Sequence, residues 1–164
     1  MPATHRVVLL LRVVVVLLSA QFLLGIWVNL FGRFPATRTL GSAVLYGGDP
    51  VLTTHYLAAV ALLIVGMAIV VAAFRHGVRE SLRWLVVAGF LSIVWACASG
   101  LQFVLSGFSD NVDSFSMAVA FIAATSFYGV AQALVLPAHP PAGSPSREEG
   151  STRAARDPPG EPPT

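Results

Sequence analysis

Long apolar runs separated by short polar segments set the pattern of this chain. The runs cover residues 13–31, 52–74, 82–106 and 115–136, and apart from Arg83 at the edge of the third they carry no Asp, Glu, Lys or Arg. A helix needs roughly 20 mostly apolar residues to cross the hydrocarbon core of a bilayer. The runs therefore predict an all-α fold: a four-helix transmembrane bundle running up-down-up-down, as one domain over residues 1–136. Gly47-Gly48-Asp49-Pro50 reads as a turn before the second helix. The remaining connections are short, which makes sequential helices antiparallel neighbours. From residue 137 the pattern stops. The segment 137–164 holds eight of the eleven prolines and almost no large apolar side chain. It lacks the surface to build a core and reads as a disordered cytoplasmic tail.

Charge adds an orientation. Of 164 residues only 11% are charged, and all ten basic side chains are arginines. Eight of the ten fall on one side of the predicted spans: Arg6 and Arg12, then Arg75, Arg79 and Arg83, then Arg147, Arg153 and Arg156. Arg33 and Arg38 fall on the other. The positive-inside rule then puts both termini in the cytoplasm. Trp27 and Trp84 are expected at opposite membrane boundaries, where interfacial aromatics collect. The architecture and the arginine-only usage suggest a multi-pass protein of a bacterial plasma membrane. Arg6 and Arg12 resemble the basic start of a signal peptide, but the apolar run that follows is longer than the usual h-region of about 7–15 residues. It reads as an uncleaved first helix. No basic cluster is interleaved with aromatics, which argues against nucleic-acid binding. The single cysteine, Cys97, lies mid-span without a CxxC or Cys/His partner and reads as a packing residue.

Chemistry must come from the polar groups inside the spans, which are costly in lipid and normally face the bundle interior. In the first helix Gln21, Gly25, Asn29 and Gly32 share one face, with glycines that allow close helix approach. His55 is the one histidine inside a predicted span. Neutral imidazole is the commonest protein metal ligand, and an axial haem ligand is one use of it; an interfacial hydrogen-bonding role is the plainer alternative. Trp95, Ser99, Gln102 and Ser106 share a face of the third helix. Met117, Phe121, Ala124 and Tyr128 form a stripe on the fourth. Met117 is by type a gap-filling core residue, although a thioether can ligate haem iron opposite a histidine. The topology brings Asn29, His55, Gln102 and Met117, one from each helix, to the outer half of the membrane.

The order of these features resembles one four-helix half of the haem A synthase family. Gln21-Phe22-Leu23-Leu24-Gly25 is similar to the glycine-containing first helix, and His55-Tyr56-Leu57-Ala58 to the histidine segment opening the second. The segment 75–83 is similar to the basic loop, and 101–107, with Leu101-Gln102 and Gly107, to the third-helix segment. Ser116-Met117-Ala118-Val119-Ala120 falls where a second histidine segment stands in that family, so Met117 takes the place of the second histidine. The first helix has no acidic residue, there is no external cysteine pair, and four of the family's eight helices are represented. The resemblance therefore implies a scaffold for haem b, in dimeric form, and not the haem-modifying activity. It implies His55 and Met117 as iron ligands, with Gln102 and Asn29 hydrogen-bonding around them.

Two function classes follow. One is a haem-binding, redox-linked membrane module. The other is a non-enzymatic accessory subunit of a membrane complex, docking through small-residue surfaces such as Gly66 and Gly89. The second is supported by the lack of any acid/base pair, nucleophile–base set or phosphate loop in the sequence. A pore lined by Gln21, Ser99 and Thr125 is weaker, because no charged residue lies deep in a span to mark an ion pathway.

Overall fold

The computed structural model of the chain describes residues 3–32 and 49–135. The proposed tail, and most of the first loop with Arg33 and Arg38, lie outside the described residues. Four helices account for almost all of the rest: α1 (Ala3–Phe31), α2 (Pro50–Arg75), α3 (Glu80–Leu105) and α4 (Asn111–Val135). Each is long and apolar enough to cross a membrane, and only 22–28% of each apolar window is buried within the bundle. Most of the apolar surface thus faces outward, as lipid contact requires and water would penalise.

The helix centres match the apolar runs, and the ends differ for identifiable reasons. α1 starts about ten residues before the apolar run because Arg12 lies on its exposed face, while Val7, Leu11 and Val14 on the opposite face are buried in the core. α4 starts four residues early because the Asp110 carboxylate accepts from the Val112 amide at 2.8 Å, satisfying a free N–H of the first turn. Asp49 does the same for α2, accepting from Val51 N at 2.9 Å, with Pro50 at the first helical position.

The helices form a four-sided ring in which α1 packs on α2, α2 on α3, α3 on α4 and α4 on α1, the last being the sparsest interface. α2 and α4 are diagonal, as are α1 and α3. The core holds Leu11, Val14, Leu62, Ile69, Val86 and Ile93 around Tyr128. Tyr128 is fully buried and reaches across to α2 and α3. A Cβ on Gly89 would stand 2.8 Å from its ring, and one on Gly66 3.4 Å from its hydroxyl. This corrects the expectation that Gly66 and Gly89 form docking surfaces. Both are buried: Gly89 is the notch that takes the phenol ring, and Gly66 makes room for the Phe90 ring and the Tyr128 hydroxyl. The stripe Met117, Phe121, Ala124, Tyr128 faces inward as expected.

Trp27 and Trp84 are exposed near opposite ends of the bundle. The end where α1 and α3 finish and α2 and α4 begin is called distal below.

Candidate functional site: a cavity between two similar helix pairs

α1 and α2 meet at His55. Gly25 has no side chain there, and a Cβ at that position would stand 3.3 Å from His55 Cε1. The bare backbone admits the ring, and Gln21, one turn earlier, reaches it: Gln21 Nε2 lies 3.3 Å from His55 Nε2. The amide nitrogen can only donate, so in this contact Nε2 is the acceptor. His55 Nδ1 is buried without a hydrogen-bond partner, and so is Gln21 Oε1. Leaving a buried polar group unpaired costs about 1–3 kcal/mol.

α3 and α4 repeat the arrangement with other residues. Met117 lies against Gly100, whose Cβ would stand 3.1 Å from its sulfur. Beside it, Trp95 Nε1 donates to Ser116 Oγ at 2.9 Å, and the Ser99 and Ser116 hydroxyls are 2.9 Å apart. The indole can only donate, so Ser116 accepts from Trp95, and either hydroxyl can donate in its bond with Ser99. In each pair a glycine on the odd-numbered helix receives a side chain from the first two turns of the even-numbered one. His55 and Met117 hold corresponding positions in the two pairs.

Both side chains line one cavity of about 570 Å³, together with Gln21, Asn29 and Cys97. They come from the diagonal helices α2 and α4 and so flank the cavity from facing sides of the ring. Near its distal end lie Phe103 and Phe108, whose rings meet edge to face at 5.7 Å. They belong to a tight helix stop. Phe108 N donates to Phe103 O at 2.9 Å and Gly107 N to Val104 O at 3.1 Å, which satisfies the last free carbonyls of α3. Phe108 itself has φ 61°, a left-handed conformation that is strained for a bulky residue.

Of the four residues expected to converge, three line this cavity: His55, Met117 and Asn29, the last with an exposed side chain. Gln102 is exposed on α3 and is not part of the lining. Three residues of the site were not expected from the sequence: Gln21 as the partner of His55, Ser116 as the shared partner of Trp95 and Ser99, and Cys97 as a lining residue. Gln21 carried a signal, standing one helical turn from the Gly25 that admits the ring.

The residues suit haem in three respects. A neutral His55 imidazole would offer Nε2 to iron. The Met117 thioether would offer a soft second ligand from the facing helix. The two glycines clear space beside both ligands. Gln21 must withdraw for Nε2 to bind, and its 3.3 Å contact is longer than the usual range of 2.7–3.2 Å. Among the described residues no group of three or more His, Cys, Asp or Glu could hold a bare metal ion. No known protein family matches this chain, and neither a curated protein nor a solved structure is similar to it.

Proposed function

We propose that this protein is a membrane module that binds haem b in the cavity between its helix pairs, where His55 and Met117 would hold the iron. The observation that carries the proposal is the correspondence of the two residues: each rests on a glycine of the preceding helix, and both line the same cavity. Asn29 and Gln21 would hydrogen-bond around the group. A haem held there supplies one-electron transfer. The chain's own contribution is to seat the His55 ring, exclude water with an apolar wall and present the two side chains from opposed helices. With both termini in the cytoplasm, as the arginine distribution favours, the site lies in the outer half of a plasma membrane.

The test is the absorption spectrum of the detergent-purified full chain, expressed with haem supply, before and after dithionite. A Soret band with sharp reduced α and β bands, lost in His55→Ala and altered in Met117→Leu, supports the reading. Full haem occupancy in His55→Ala overturns the ligand assignment.

A second reading, an accessory subunit of a membrane complex or a homodimer, is favoured by Gln102. This amide lies exposed on α3 within a span, where a partner helix would satisfy it. Under this reading a colourless protein co-purifies with a partner, or with a second copy of itself, that Gln102→Leu releases.

A further inference from the structure

We infer that the cavity, in the chain without haem, takes the acyl chain of a membrane phospholipid, admitted sideways from the distal leaflet between α1 and α4. The inference does not rest on haem binding.

Depth is the first argument. The lining runs from Leu18 to Asn29 on α1, Leu52 to Leu63 on α2, Ile93 to Val104 on α3 and Ser114 to Ala124 on α4. These are matching windows of the four helices, all toward the distal end. At 1.5 Å per residue each window covers about 16 Å, close to half of a hydrocarbon core about 30 Å thick. The cavity is therefore as deep as one leaflet.

Position is the second. Several lining residues also belong to the outer surface of the bundle. Phe22 is 48% exposed on α1, Leu57 62% on α2, Leu101 44% on α3 and Ile122 63% on α4. The cavity thus reaches the lipid-facing surface on every helix, and of the four interfaces the one between α1 and α4 is the sparsest and the easiest to part. The ring pair there is Phe22 and Phe121, stacked at 4.9 Å with planes 15° apart. Phe22 is half exposed and its ring is held by this stacking contact, so displacing it breaks no polar interaction. The lining is overwhelmingly apolar, and its polar groups are few: Gln21, Asn29, His55 and Ser114 among them. A saturated chain fits such a wall without leaving a polar group of its own unpaired.

The experiment uses the full chain reconstituted in phosphatidylcholine vesicles doped with a phosphatidylcholine that carries a diazirine midway along one acyl chain. After irradiation, adducts are mapped by mass spectrometry. Adducts on Cys97 and Met117, inside the cavity, are expected beside those on outward residues such as Ile64 and Leu91. Phe22→Ala should raise the cavity adducts several-fold and leave the outward ones unchanged. Adducts confined to outward residues in the wild-type chain would overturn the inference. The readout needs no haem, so a colourless protein leaves this test intact, and a negative result here leaves the haem spectrum to be judged on its own.

Discussion

His55 rests on the bare backbone of Gly25, where even a methyl group would stand 3.3 Å from its Cε1. That contact is tighter than an ordinary van der Waals approach, and it fixes where the imidazole can be. A Gly25→Val variant should push the ring away from α1 and break the Gln21 contact. The expected cost is about 1–3 kcal/mol, the usual range for overpacking. Thermal unfolding in detergent reads the loss, and haem retention should fall with it. Unchanged melting and haem content would mean that the ring is placed by other contacts.

The second helix pair is held by hydrogen bonds, and their strength can be measured. Ser116 serves Trp95 and Ser99 at once. Interhelical hydrogen bonds in membrane proteins average about 0.6 kcal/mol, with a maximum near 1.7. A double-mutant cycle on Ser99→Ala and Ser116→Ala should return a coupling within that range. Zero coupling would show that the hydroxyls do not depend on each other.

Tyr128 offers a test with opposite signs. Its hydroxyl is buried without a hydrogen-bond partner, so Tyr128→Phe should stabilise the bundle by about 1 kcal/mol, the low end of the cost of an unpaired buried group. Gly89→Ala should destabilise it, because the new Cβ would lie 2.8 Å from the ring. Tyr128→Ala should then tolerate Gly89→Ala better than the wild type does. These comparisons are made by unfolding in mixed detergent micelles.

The spans were legible in the sequence because charge is nearly absent from four stretches of bilayer length, and no packing detail can hide that. The ends were less so. Arg12 interrupts an apolar run, yet a helix tolerates one charge on its exposed face, and the buried Val7 and Leu11 carry α1 past it. The polar cluster was legible in part. His55, Met117 and Asn29 share a cavity, but Gln102 does not, because each residue turns the helix by about 100°. Gln102 was grouped with Ser99, three positions away. Ser99 is buried at the α3–α4 contact, whereas Gln102 has turned to the outer surface. The seating of Tyr128 in Gly66 and Gly89 was not legible at all. It joins three helices at positions that only the three-dimensional packing relates.

The most direct test of the central claim is a titration of haem b into the detergent-purified full chain, followed at the Soret maximum beside His55→Ala. Saturation at one haem per chain is expected for the wild type and no saturable binding for the variant. A linear, unsaturable rise that is the same in both proteins would contradict it.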